Sequence, residues 1–481
     1  MNLAGWRMPK LAELIQVLSQ DNLCVSHNVS SELSFDTLCT DTRTLVSGNV
    51  FVALEGPHFD GSKFLAAAKE KGAVAAIIRQ GAVGLASAPL GCIEVTDPLQ
   101  ALQHWARHWR RQWQGSLIAV TGSNGKTTVK QMIAAVLAQA YGTDHAWATP
   151  GNLNNHIGVP LSVLGLLPQH RAAVLELGMN HPNEIAGLAA IALPHIGLVN
   201  NAQREHQEFM KTVAAVAQEN GQVFAALPAS GVAVFPKDPA HEPIWRELAD
   251  TRRCIRFGFE TAGAAPGFRG DEVLGRWTQG NTLAMRFACG DLITVELQGA
   301  GEHFALNALA AAACCWAAGI DLQTIAKALS GFAPVAGRGK KLGLAGGGIL
   351  VDDTYNANPD SVRAAIDALL TLPSPHALVL GDMGEVGDQG EQFHCEVLRY
   401  ADQKNIAAMW LHGQAMAQAH SHTGLGKHFD QVDGLVSDLR GWLGQQQRQA
   451  KQPSVWAKGS RFMKMERVVE QLKAPLQETA A

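Results

Sequence analysis

The segment Thr121-Gly122-Ser123-Asn124-Gly125-Lys126-Thr127-Thr128 lies between an apolar run, 117–120, and a helical pattern over 126–140. A glycine-rich turn joining a buried strand to a helix commits the surrounding chain to an α/β fold, with parallel strands covered on both faces. The amide groups of such a turn, together with the positive end of the helix, cradle phosphate oxygens. Gly122, Ser123, Asn124, Gly125, Lys126, Thr127 and Thr128 are therefore expected to hold a nucleotide triphosphate. Lys126 is expected to reach its β/γ-phosphates, and the Thr127 hydroxyl to hold Mg²⁺. The usual phosphate loop has a glycine where Val120 stands, so this is a shortened form, T-G-x-x-G-K-T. By itself the loop says only nucleotide, because GTPases, kinases, motors and ligases share it.

A length of 481 residues predicts about three domains. Hydrophobic residues at 47% and charged residues at 17% exclude wholesale disorder. Lys+Arg 39 against Asp+Glu 43 leaves a net charge of −4, which argues against a nucleic-acid partner. The longest apolar stretches, such as 310–320, are shorter than the roughly 20 residues a spanning helix needs. The first ten residues lack the build of a signal peptide. A soluble cytoplasmic protein without a membrane span, acting as a monomer, is the expectation. Eight cysteines show no regular spacing, and Cys314 and Cys315 sit in an alanine-rich helical pattern, where buried free thiols are expected.

Apolar runs at 50–54, 73–78 and 92–95 read as strands, with a helix over 64–71 closed by Gly72. A helical pattern over 98–113 carries Trp105, Trp109 and Trp113 on one face, which reads as a packing stripe. Further strands are expected at 117–120, 173–177 and 196–200. The Gly/Ala-rich stretch 261–280 reads as loops and hairpins, and 304–319 as a long helix. Beyond the turn at 334–339, strands are expected at 349–352, 377–381, 407–411 and 454–456. The fold class expected is α/β in three domains: a substrate-binding domain over 1–113, a central ATP-binding domain over 114–336, and a Rossmann-like domain over 337–481.

Several motifs in order carry a resemblance. They are Asp41-Thr42-Arg43, the run 51–56 with Asp60-Gly61, the short phosphate loop, and 149–155 (TPGNLNN). There follow 176–180 (ELGMN), Asn200-Asn201 with His206, Gly337-Arg338, 352–359 (DDTYNANP), 381–385 (GDMGE) and 458–461 (KGSR). Together they resemble the Mur ligase family, ATP-dependent amide ligases of peptidoglycan synthesis, over nearly the whole chain. Within it the YNANP, GDMGEVG and GNLNN strings are most similar to the member joining D-alanyl-D-alanine to the UDP-N-acetylmuramoyl-tripeptide. The DNPR string of the relative that adds the third amino acid is absent.

The resemblance implies a reaction and its residues. ATP phosphorylates the peptide carboxylate, since oxide is too poor a leaving group, and an amine then attacks the acyl phosphate. Lys126, Glu176, His206 and Arg338 are the implied catalytic groups, with Thr127, Glu176 and His206 holding Mg²⁺. Asn307, Arg338, Asp353 and Asn356 are implied at the nucleotide. Thr42 and Arg43 are implied at the UDP-sugar, Asn154 and Asn155 at the peptide carboxylate, and Tyr355 and Asn358 at the dipeptide.

Two positions depart from the family. Phe304 replaces an asparagine on the adenine side, which puts one base or ribose contact in doubt. Asn220, fourteen residues after His206, stands where most relatives carry a carbamoylated lysine. Glu219 and Glu208 are expected to supply the missing charge ahead of Glu205. Two other readings remain open: a third-residue-adding or folylpolyglutamate synthetase-like ligase, and a phosphate-loop protein that has lost catalysis.

Overall fold

The computed structural model describes residues 8–57, 59–205, 207–260, 271–278, 281–344 and 347–473. His206 and residues 261–270 and 279–280 of the expected hairpin stretch lie outside the described residues.

The N-terminal part contains helix α1 (Leu11–Gln20) and strands β1 (Cys24–His27), β2 (Leu38–Cys39), β3 (Val50–Val52), β4 (Ala75–Arg79) and β5 (Cys92–Val95). Their sheet order is β1-β5-β4-β3-β2, parallel except for β1. Helix α2 (Pro98–Gln112) follows, started by Asp97, whose carboxylate accepts from the Leu99 and Gln100 amides, with Pro98 at the first helical position. Its tryptophan face packs as expected, and it packs in two directions. Trp105 is fully buried and lies 5.6 Å from the Phe35 ring of the N-terminal part. Trp109 donates to the Leu166 carbonyl and Trp113 to that of His170, both in the central part. One helix and its C-terminal flank thus fasten two sheets through apolar area and indole hydrogen bonds.

The central part runs β6 (Ser116–Thr121), α3 (Lys126–Tyr141), β7 (Ala146–Ala148), α4 (Gly158–Leu164), β8 (Ala172–Glu176), α5 (Glu184–Ala192), β9 (Ile196–Val199) and α6 (Val213–Gly221). It continues with β10 (Val232–Pro236), β11 (Arg253–Phe259), β12 (Asp271–Trp277), β13 (Thr282–Phe287), β14 (Leu292–Glu296) and α7 (Glu302–Ala317). The order is β14-β13-β12-β11-β10-β9-β6-β8-β7. Seven strands are mutually parallel, while β13 pairs antiparallel with both β12 and β14, so the sheet is mixed rather than purely parallel. Every residue of β8 and β9 is buried, as strands covered on both faces require. Helix α7 is apolar almost all round, with Cys314 and Cys315 buried as free thiols.

The C-terminal part has β15 (Lys340–Gly343), β16 (Ile349–Asp353), α8 (Pro359–Leu369), β17 (His376–Gly381), α9 (Gly390–Gln403), β18 (Ala408–His412), β19 (Lys427–Phe429) and β20 (Ser454–Lys458). Its order is β15-β16-β20-β17-β18-β19, parallel apart from β15. Ligands of such sheets collect beyond the carboxyl ends of the strands. The loops after β6 and β9 and the end of β8 in one sheet, with the end of β16 in the other, line a common cavity. Among the described residues no helix is long and apolar enough to cross a membrane.

Candidate active site

The cavity between the central and C-terminal sheets has a volume of about 610 Å³. Its floor is the phosphate loop. Gly122 (φ +126°) and Gly125 (φ +80°) occupy backbone conformations open to glycine. A Cβ on Gly125 would stand 2.5 Å from Asn307 Oδ1 and 2.8 Å from Asn200 Nδ2, so crowding also demands glycine. The loop is held from behind by asparagines. Asn220 Oδ1 accepts from the Gly122 amide at 2.8 Å, and Asn201 Oδ1 from the Asn124 amide at 2.8 Å. Asn200 Nδ2 donates to the Asn124 carbonyl at 2.7 Å and to Asn307 Oδ1 at 2.9 Å. The Ser123 hydroxyl accepts from the Gln203 amide at 2.9 Å.

Helix α3 starts at Lys126, and its first-turn amides have no partner within the helix. Lys126 Nζ donates to the carbonyls of Gly122 and, at 3.2 Å, Ser123, and lies 3.4 Å from Glu205 Oε2. Thr127 Oγ1 and Glu176 Oε2 are buried and have no hydrogen-bond partner among the described residues. Glu176, ending β8 opposite Val120, accepts from Asn154 Nδ2 at 2.8 Å through its other oxygen. Two orphaned oxygen donors beside a phosphate loop suit a hard divalent cation such as Mg²⁺.

Beneath them Lys130, fully buried, donates to the carbonyls of Thr149 at 2.9 Å and Gly151 at 2.8 Å, with Glu176 Oε2 3.9 Å away. Burial pushes its pKa down, Glu176 pulls it up, and Arg338 adds to the depression. Sequence reasoning passed over Lys130, although a lysine inside the apolar face of α3 was a signal. Glu205, ranked there behind Glu219 and Glu208, lines the cavity at 8% exposure.

From the C-terminal part, Arg338 lies 3.9 Å above the Tyr355 ring and reaches the cavity. Asp353 accepts from Lys458 Nζ at 2.7 Å, and Asn356 also lines the cavity. Phe304 borders it too, but its ring is 97% buried and stacks on Phe332 at 6.3 Å. Thr128, Asn154, Asn155, Asn307 and Tyr355 complete the expected residues brought together. Thr42 and Arg43 are not among them. They lie at the surface of the N-terminal part, where Arg43 forks onto Asp41 at 2.7 and 3.0 Å.

Three of the residues singled out in the sequence have other surroundings than the cavity. Asn358, expected at the dipeptide, closes the start of α8: its Oδ1 accepts from the Ser361 amide at 2.8 Å, and its Nδ2 donates to Asn124 at 2.9 Å. Both ends of its amide are occupied by protein. Glu219 does not substitute for the charge expected at residue 220. Its oxygens accept from the amides of Asn183 at 2.8 Å and Ile185 at 2.9 Å, capping α5. Glu208 is exposed and outside the cavity, so Glu205 is the acidic group facing Lys126.

This arrangement can bind a triphosphate and bring a phosphoryl acceptor to it, and similarity to known proteins narrows it. Residues 120–315 match the model of the Mur ligase middle domain and 337–450 that of the Mur ligase, glutamate ligase domain. The UDP-N-acetylmuramoyl-tripeptide--D-alanyl-D-alanine ligase of Escherichia coli (strain K12) is 34% identical over 446 residues, 92% of this chain and 94% of that one. The chain belongs to the Mur ligase family. Among solved structures of the Mur ligases, MurF from Acinetobacter baumannii superposes with a TM-score of 0.85 at 29% identity, over 97% of this chain and 98% of that one. MurF ligase from Thermotoga maritima, solved in complex with ADP, gives 0.75 at 26% identity, over 90% and 96%.

Proposed function

We propose that the chain is the ATP-dependent ligase joining D-alanyl-D-alanine to UDP-N-acetylmuramoyl-tripeptide, in cytoplasmic peptidoglycan precursor synthesis. The observation that carries this is full-length similarity to ligases of that name, together with a phosphate loop facing a second α/β sheet.

In the first step a tripeptide carboxylate oxygen bonds to the γ-phosphorus of ATP and the bond to the β-phosphate oxygen breaks, releasing ADP. The amine of D-alanyl-D-alanine then adds to the acyl carbon, and the tetrahedral adduct loses phosphate and a proton to leave the amide. The chain's part is positioning and charge neutralisation. Lys126 and Arg338 offer cations to the transferring phosphoryl group, and the open first turn of α3 offers amides. Asn154 sets Glu176, while Lys130 ties the Asn154 loop to α3. Thr127 and Glu176 would hold Mg²⁺, with His206 as the implied third ligand. The ion, when bound, screens phosphate charge. Asn307, Asp353 and Asn356 serve the nucleotide, Thr42 and Arg43 the UDP-sugar, Asn155 the peptide carboxylate, and Tyr355 the dipeptide. We take the working unit to be the monomer, since one chain supplies both walls of the cavity.

Phosphate release with UDP-muramoyl-tripeptide and a panel of acceptors tests the assignment. D-alanyl-D-alanine is the expected acceptor. Equal turnover of UDP-muramoyl-dipeptide with a free diamino acid would overturn it. Light scattering in the presence of substrates tests the monomer.

A further inference from the structure

A second cavity of about 300 Å³ opens beside the first, between α2 and α5. Gln103, His104 and Arg107 of α2 form one wall, and Glu184, Gly187 and Leu188 of α5 the other. The two cavities share His156, Gly178 and Glu184. Gly178 is the partition. Its amide donates to the Asn154 carbonyl at 2.8 Å, and a Cβ there would lie 2.9 Å from the Asn154 side chain. Asn154 is the residue bonded to Glu176, so the second cavity begins one residue from the site of carboxylate activation.

A carboxylate being activated belongs to an amino-acid residue whose side chain leaves from the neighbouring carbon. Some volume next to the reaction centre must receive that side chain, and this cavity adjoins it. Its charges are unequal. Arg107 is a permanent cation with no ion-pair or hydrogen-bond partner among the described residues. His104 already faces Asp21 at 2.6 Å. Glu184 is occupied by the amides of Asn180 at 2.6 Å and His181 at 3.2 Å. Gln103 steadies the mouth by donating to the His156 carbonyl at 3.0 Å. The unanswered charge is positive.

We propose that this cavity receives the side chain of the residue whose carboxylate is activated, and selects a side chain ending in a carboxylate over one ending only in an ammonium. The proposal rests on the tripeptide-ligase reading above. Three UDP-muramoyl-tripeptides differing only in the third residue test it: diaminopimelate, 2-aminopimelate (same carboxylate, no distal amine) and lysine. The first two should turn over alike, and the lysine form should have a kcat/KM lower by about ten-fold. Arg107→Gln should erase that gap by raising KM for the two carboxylate forms, leaving lysine turnover within about two-fold. Gly187→Leu gives an independent readout, because a Cβ there meets nothing within 4 Å and the added side chain would fill the cavity rather than displace protein. It should raise KM for all three tripeptides while ATP-analogue affinity stays unchanged. Equal wild-type turnover of lysine and carboxylate forms, or an Arg107→Gln loss common to all three, would overturn the proposal while leaving the ligase reading standing. No turnover of any tripeptide with D-alanyl-D-alanine would overturn both.

Discussion

Gly125 carries two demands at once, a φ of +80° and an amide pair within 2.8 Å of any Cβ. Gly125→Ala should therefore distort the phosphate loop and lower affinity for a non-hydrolysable ATP analogue at least ten-fold, with roughly 1–3 kcal/mol lost in stability. Calorimetry reads the first and urea unfolding the second; unchanged affinity would show that the loop tolerates a methyl group. Asn220 sits behind the same loop, 1% exposed, accepting from the Gly122 amide. A neutral amide cannot form a carbamate, so removing dissolved CO₂ should leave the rate unchanged. A marked loss of rate would mean that a lysine elsewhere is carbamoylated. Phosphate release in CO₂-free buffer decides.

Two helices are each fixed at their N-terminal end by a buried side chain, one from outside the helix and one from within it. Helix α5 is capped from α6 by Glu219, 6% exposed, with two amide hydrogen bonds. Glu219→Ala should cost roughly 1–3 kcal/mol, since bonds to a charged acceptor exceed neutral ones. Chemical denaturation measures it, and a cost under about 0.5 kcal/mol would show that water caps α5 equally well. In α9, buried His394 accepts from the Met383 amide at 2.9 Å and donates to the Gly390 carbonyl at 2.6 Å, an arrangement that requires the neutral ring. Burial lowers its pKa, opposed by the Gly390 bond and by Asp382. The folded chain thus binds fewer protons than the unfolded one below about pH 6.5. That contribution to stability is present at neutral pH and shrinks as pH falls from the unfolded value to the folded one. Thermal melts at pH 7.5 and 5.5 should show a larger drop for the wild type than for His394→Gln.

At the scale of the molecule, Arg204 clamps the central part to the C-terminal one. It bonds Asp360 at 2.6 and 3.0 Å and Glu396 at 2.8 and 3.0 Å, and stacks 5.2 Å from the Phe393 ring. The Arg204 bond, ahead of the Arg363 bond, lowers the Glu396 pKa against burial, so the clamp persists at neutral pH. Under the proposed function, three substrates held on separate sheets would require the sheets to part and close. Arg204→Ala should enlarge the radius of gyration of the free enzyme in X-ray scattering and raise KM for D-alanyl-D-alanine several-fold. Identical scattering from variant and wild type would show that other contacts hold the two parts together.

The phosphate loop, the strands around it and the three α/β parts were legible because they rest on local pattern: glycine where φ is positive, and apolar runs where both faces are covered. The α8 cap was legible too, in Asn358-Pro359 followed by Ser361. The role of Lys130, the pairing of Glu205 with Lys126 and the Arg204 clamp were not legible. Each acquires its partner from a segment 19 to 192 residues away, and no local periodicity encodes which carbonyl a buried lysine meets. The same holds for Glu219, which from its place in the chain could face residue 220's neighbours or cap α5. The sequence by itself determined the chemistry that the residues can perform. Only packing of α6 against α5, and of one sheet against the next, decided which carboxylate faces Lys126, because burial leaves no room for an unpaired charge.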